Sequence, residues 1–360
     1  MVENRCQHLT PGDGLPCRYY IRPIVKEEPG FCQRPDTFRC VEAMKHKLPA
    51  ISYSSLTDFI ACRRRYYHRT VEGLQVKPQH LPESAKLSKG WDLFSRAMHE
   101  PGFDYLPGIQ ELQFTPEQNA KLSALMRAYE DLEIDHNPDE ARCQYEVRIP
   151  VGQTNIKGYI HRLYPKYFVE TKFTTRPDFY QEKENLTFQL GTYFMTDDSL
   201  EYAVVEITRA PALKTGYGRL SDEDMAHYES RLHSDVCSRP SFYFSGYNKE
   251  SRTFGVKFWR SEFDLEEIRH TYEAVLQEIR VCAQRGHWWE NHLACHIPAP
   301  CPYLSIKKSG VISEEIYERR AVPDWCRDVC SLTEAVSRMC EVKNPCPKWG
   351  KEVKQSEGTK

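Results

Sequence analysis

Three strand patterns follow one another closely in the middle of the chain: QYEVRIPV (144–151), IKGYIHRLY (156–164) and YFVETKFT (167–174). β-Branched and aromatic residues fill each run, and short polar or Pro-containing turns separate them. Turns that short join antiparallel neighbours, so this stretch reads as a meander. A fourth strand pattern, YAVVEITR, covers 202–209. Helical patterns flank the strands on both sides, which restricts the chain to an α/β class: a small mixed sheet flanked by helices.

The helical segments are legible from their caps and faces. SYSSLTDFIACRRRYYHRT opens on a serine cap and places Leu56, Phe59, Ile60 and Tyr67 on one side. A second helix is expected from Ala85 to Glu100. A third runs from Pro116 to about Leu132, with Leu122, Leu125, Met126, Tyr129 and Leu132 at helical spacing. A fourth, around 183–196, carries QLGTYF. Ser221, with Asp224 three residues on, opens a helix that turns Met225, Tyr228 and Leu232 inward. Asp264 with Glu267 caps a long helix to about Ala283, its inner face formed by Ile268, Tyr272, Val275, Leu276 and Ile279.

Composition narrows the class further. Of 360 residues, 40% are hydrophobic and 28% charged, enough apolar material for a core and too much for general disorder. A net charge of −2 excludes a polybasic protein, although a local basic groove would suffice to bind nucleic acid. No apolar run approaches the length of a membrane span, and MVENRCQHL carries no secretory signal pattern, so a cytoplasmic protein is expected.

Fourteen cysteines are many for such a protein, and in a reducing compartment they read as thiols or metal ligands. Cys6, Cys17, Cys32 and Cys40 crowd a Pro/Gly-rich segment with no periodicity. A segment without a core orders itself around a staple, so residues 1–50 read as a metal-binding appendage and these four as candidate zinc ligands. A second group, Cys326, Cys330, Cys340 and Cys346, lies in a C-terminal segment, 321–360, that ends in a polar tail. Cys62, Cys295 and Cys301 remain, together with the isolated Cys143, Cys237 and Cys282.

The chemistry concentrates in GYIHR (158–162), ETK (170–172) and QLGTY (189–193). Alternation along a strand puts Glu170 and Lys172 on one face. A carboxylate and an ammonium so placed can hold a divalent cation and position water for attack on a phosphodiester. The same pair alone would equally be a surface salt bridge. His161 on the neighbouring strand could reach the same ion, Gln189 and Tyr193 share a helix face, and Glu146 could add a supporting carboxylate. Arg63, Arg64 and Arg65, followed by two tyrosines, form a basic-aromatic run suited to DNA contact. No phosphate-binding glycine loop is present, so ATP-driven unwinding would require a helicase or recombination partner.

Taken in order, these motifs resemble the RecB-like branch of the PD-(D/E)xK nucleases, which includes AddB-type, CRISPR-adaptation and phage exonucleases. The resemblance spans about Ser52 to Tyr303 and implies a restriction-endonuclease-like α/β core over 51–320. It implies a metal-dependent DNA nuclease, an exonuclease acting on ends or single strands, using Mg²⁺ or Mn²⁺. It assigns metal binding to His99 (in FSRAMHEPGF), His161 and Glu170, and completes the catalytic set with Lys172, Gln189 and Tyr193. His161 stands where the family places an aspartate. The resemblance also implies a four-iron, four-sulfur (4Fe-4S) staple, with Cys62 ahead of the core and Cys295 and Cys301 behind it. No cysteine follows shortly after Cys301, which leaves Cys282 or Cys326 as candidates for the fourth ligand. The alternative is a catalytically degenerate DNA-binding subunit that keeps the nuclease fold.

Overall fold

The computed structural model describes residues 51–134, 141–152, 154–216, 224–295 and 301–319. The N-terminal and C-terminal cysteine groups, Ser221 and Cys326 lie outside these residues.

A six-stranded mixed sheet forms the centre. Strands β3 (Arg142–Val151), β4 (Thr154–Leu163) and β5 (Tyr167–Thr174) make the expected meander, with antiparallel pairing throughout. Strand β6 (Tyr202–Arg209) lies parallel to β5, and β7 (Val256–Trp259) runs antiparallel to β6. A two-residue strand, β1 (Ile51–Ser52), runs parallel to β4.

Helices cover the sheet. The first helical pattern is real but broken: α1 (Tyr53–Ala61) is capped by Ser52 and stops at Cys62, whose backbone is extended. A short α2 (Arg63–Tyr66) follows, then a wide turn over Tyr67–Val71. Within α1, Leu56 and Phe59 are fully buried, whereas Ile60, expected inside, is 39% exposed. Next come β2 (Leu74–Val76), α3 (Glu83–His99), α4 (Leu106–Glu111) and α5 (Pro116–Asp131), the last closed by a Thr115–Gln118 capping box. The crossover from β5 to β6 holds α6 (Pro177–Gln181) and α7 (Thr187–Phe194), the latter shorter than its sequence pattern. Helix α8 (Met225–Ser238) is capped by Asp224 itself, which accepts from His227 N–H, so the capping residue lies three positions later than Ser221.

Helix α9 (Pro240–Tyr243) precedes β7, and α10 (Leu265–Arg285) begins at the expected Asp264 cap and ends at Gly286 in a left-handed conformation. Helices α7 and α10 pack on the sheet through Leu190, Phe194, Ile268, Tyr272, Leu276 and Ile279. A second core, built by α3, α5 and α8 around Trp91, Phe94, Leu125, Tyr129 and Val236, receives Phe173 from β5. Finally α11 (Leu304–Ser309) and β8 (Tyr317–Arg319) fold back on β2, with Tyr303 Oη donating to the Leu74 carbonyl at 2.8 Å. The end of the described chain is thereby clasped to its beginning. No helix among the described residues is long and apolar enough to cross a membrane.

Candidate active site

Strand β3 occupies one edge of β4 along its length, so β1 and β5 share the other edge. Strand β5 pairs with β4 only at Arg162–Val169 and Leu163–Phe168, and β1 pairs with it at Ile156 and Lys157. Between those contacts the sheet forks. His161 and Glu170 would form the next rung of the ladder, and there the two strands part. Two further features mark the same place. Gln144, opposite His161 in the β3–β4 register, has φ +48, a conformation that costs a non-glycine residue energy. The core-facing parity of β4 also changes, from Ile156 and Ile160 before His161 to Leu163 after it.

The fork is filled by side chains. Glu170 is 1% exposed, and its Oε1 accepts from Lys172 Nζ at 2.8 Å and from Gln189 Nε2 at 2.6 Å. Gln189 Oε1 in turn accepts from Lys172 Nζ at 2.7 Å, so one amide is locked between a carboxylate and an ammonium. Tyr193, one turn along α7, donates to the Tyr159 carbonyl at 2.8 Å. Gly158 makes that approach feasible: a Cβ there would lie 2.8 Å from the Tyr193 ring. The parting of β4 and β5 leaves Thr171 N–H without a ladder partner, and His161 Nδ1 accepts it at 3.0 Å. The same Nδ1 lies 3.2 Å from Glu170 Oε2, a buried oxygen that receives no hydrogen bond.

Helix α3 adds a residue that the motifs did not indicate. Asp92 lines a cleft with Ser95, Arg96, Cys143, Gln144, His161, Arg162 and Thr171. Burial pushes its carboxyl up from 3.8 to about 6; the His161 and Lys172 charges pull it down and that of Glu170 pushes it further up. Burial would also raise Glu170, but His161 and then Lys172 overcome it and hold that carboxyl at about 2. Burial disfavours charge on His161, yet the Glu170 carboxylate, joined by Asp92, draws its pKa upward. Asp92, His161, Glu170 and Lys172 therefore form one electrostatic unit.

His99, expected from the resemblance to bind metal, has both ring nitrogens against protein groups. Its ring is 1% exposed, with Nδ1 against the Ser95 carbonyl at 2.6 Å and Nε2 against Arg162 Nη1 at 2.5 Å. Arg162 pairs with buried Glu206, so His99 belongs to a neighbouring network. Asp92 and His99 are seven residues apart, two helical turns, and so share a side of α3. Asp92 thus lies about 10 Å from His99 along the helix. The signal was Gly90-Trp91-Asp92, an acid set beside residues that face the core. Glu146, expected to support the metal, instead bonds Lys157, Arg148 and Tyr159 Oη.

The basic run is largely engaged within the fold. Arg63 forms a double hydrogen bond with Glu278 and stacks on Trp289, while Arg65 pairs with Asp58 at 2.7 Å. Arg64 is exposed and lies over the Tyr67 ring.

Cys62, Cys295 and Cys301 meet where the α1–α2 break touches the C-terminal loop. Asn291 bridges two of them: its N–H donates to Cys62 Sγ at 3.4 Å and its carbonyl accepts from Cys295 Sγ at 3.6 Å. Cys301 N–H donates to the Cys295 carbonyl at 2.8 Å, and both other thiols act electrostatically on the Cys301 thiol. Three sulfurs from segments distant in sequence, with Lys307 Nζ 3.6 Å from one of them, suit the thiolate donor set of an iron–sulfur cluster. Cys282 is buried in the main core, and the side chains that act on its thiol are Glu278, Arg63 and Arg285 rather than these cysteines, so it is a poor fourth ligand.

No family model, curated protein or solved structure matches the chain.

Proposed function

We propose that the protein is a metal-dependent DNA nuclease of the PD-(D/E)xK type, of the RecB-like branch, hydrolysing phosphodiester bonds at DNA ends or in single strands. The observation that carries this reading is the fork itself. A buried glutamate with an unsatisfied oxygen faces an imidazole, with an aspartate, a lysine and an oriented glutamine around it. An orphaned buried carboxylate oxygen is costly unless a cation or proton completes it.

Asp92, His161 and Glu170 would hold the cation, Mg²⁺ or Mn²⁺, whose chemistry is to polarise the phosphate and acidify water. Lys172, fixed by Glu170 and Gln189, orients the attacking water and offsets negative charge developing on the phosphate. Gln189 holds Lys172 in place, and Tyr193 anchors α7 to β4. Exposed Arg64 would meet the DNA backbone.

The donor set favours an active enzyme over a degenerate DNA-binding subunit. The resemblance implies an imidazole from the helix and an aspartate from the strand. Here the helix supplies Asp92 and the strand supplies His161, so the two donor types change places and none is lost. The same reading keeps a 4Fe-4S staple at Cys62, Cys295 and Cys301, which predicts a brown protein bleached by Cys62→Ser.

The test is cleavage of labelled DNA by the purified chain in Mg²⁺, in Mn²⁺ and without metal. Cutting should require metal and should vanish in Glu170→Gln and Asp92→Asn, with DNA affinity retained. DNA binding with no cutting in any metal would establish the degenerate alternative.

A further inference from the structure

A second group of donor atoms lies away from the fork, between α5 and α8. Asp131 ends α5. His233 and Cys237 are four residues apart on α8 and so project from one side of that helix. His233 Nε2 lies 2.8 Å from Asp131 Oδ2 and 3.6 Å from Cys237 Sγ. All three donor atoms fall within 4.8 Å of one another, an arrangement found in no other group among the described residues. We propose that Asp131, His233 and Cys237 bind one Zn²⁺ ion, which ties α5 to α8.

Three physical arguments support the site. Tetrahedral Zn²⁺ has bonds of about 2.3 Å to sulfur and about 2.0–2.1 Å to nitrogen, which sets an S···N edge of about 3.6 Å. The Cys237–His233 pair already has that separation, and only the carboxylate must retreat by about half an ångström. Thiolate with imidazole selects a borderline or soft ion and disfavours Mg²⁺ and Ca²⁺. The ion would also sit at the carbonyl end of α5, where the helix dipole favours positive charge.

The supporting frame is rigid. Helices α5 and α8 pack through Ala120, Ala124, Tyr228 and Leu232, and Cys237 rests against the Trp91 core. Arg127, the nearby cation, is already paired with Glu229 at 3.2 Å. Burial, with Asp131 adding to it, keeps the Cys237 thiol protonated when no ion is bound. Binding therefore forms the Zn–S bond and releases the thiol proton to solvent. Water takes the fourth position.

The experiment uses the full chain, stripped with chelator and reloaded with Zn²⁺ or Co²⁺. Metal content, the near-ultraviolet thiolate-to-Co²⁺ band and the Tm shift on loading are read for the natural protein, Cys237→Ser, Asp131→Asn and Cys62→Ser. The expected result is one metal equivalent fewer and a smaller Tm shift in Cys237→Ser and Asp131→Asn. In Cys62→Ser the equivalent belonging to this site should remain. Should Cys237→Ser fail to fold, His233→Gln, on a ring partly open to solvent, gives the same comparison. Equal metal content and equal Tm shifts across the natural protein, Cys237→Ser and Asp131→Asn would overturn the proposal. None of these readouts depends on DNA cleavage, so this site and the fork stand or fall separately.

Discussion

Two buried polar clusters lie side by side on β4, and they differ in how their charge is balanced. Arg162 points to Glu206 and His99, where one cation meets one anion and a neutral ring. His161, its immediate neighbour, points to Glu170, with Asp92 and Lys172 close by. That cluster carries two carboxylates for one permanent cation and leaves Glu170 Oε2 without a donor. Both clusters contain a histidine and a glutamate, so composition alone does not separate scaffold from site. Orphaned atoms do not separate them either, since Arg162 Nε is buried without a partner as Glu170 Oε2 is; the difference is the second carboxylate, Asp92, whose charge burial disfavours.

Substitutions can break this comparison, beginning with the largest effect. Lys172→Ala should lower cleavage per folded molecule by roughly 10²–10³-fold, as removing a transition-state donor does, on top of the stability lost by stranding buried Glu170. Arg162→Leu should do the reverse. Stranding buried Glu206 should cost about 3–5 kcal/mol in urea denaturation, and cleavage per folded molecule should survive. His99→Gln should also keep its cleavage rate; a loss equal to that of Asp92→Asn would erase the division between the clusters.

Asp92 sharpens the contrast through pH. Its carboxyl is raised from 3.8 to about 6, so between those values the folded protein holds a proton that the unfolded chain releases. Stability therefore falls as pH rises through that window and stays lower above it. Asp92→Asn removes the penalty and should stabilise the metal-free protein at pH 7 by roughly 2–3 kcal/mol, with little gain near pH 4. Urea denaturation at the two pH values, in chelator, measures the difference. Equal gains at both would mean that Asp92 ionises freely. Next in size, Gly158→Ala drives a methyl group to 2.8 Å from Tyr193 and should cost about 1–3 kcal/mol. Its effect on cleavage should exceed that of an equally destabilising change in the Trp91 core.

Much of this arrangement was legible in the sequence. The meander, the Asp264 cap and the grouping of Glu170, Lys172, Gln189 and Tyr193 follow from alternation and helical spacing, which are local properties. The fork was not legible, because it depends on where β4 and β5 stop pairing, and no residue pattern states that. Asp92 was missed for a related reason. Helical periodicity gives a side but not a height, and the height of α3 against the sheet is set by how Trp91 and Phe94 seat in their core. The break at Cys62 leaves no mark in the sequence, because arginines and tyrosines continue a helical pattern well; the interruption lies in the backbone.

The hydrogen bond from Thr171 N–H to His161 carries a consequence for the range of residues tolerated at position 161. The amide donor there is created by the parting of two strands, so it exists whatever the side chain. Only a residue with an acceptor near the position of Nδ1 can serve it. Asparagine and aspartate qualify, whereas alanine and leucine do not. His161→Asn should therefore melt close to the natural protein, and His161→Ala should lose about 1 kcal/mol more. The alphabet at this position is set first by an unpaired main-chain donor and only second by any ion. Asparagine is the closer substitute, because aspartate would also set a second carboxylate against buried Glu170.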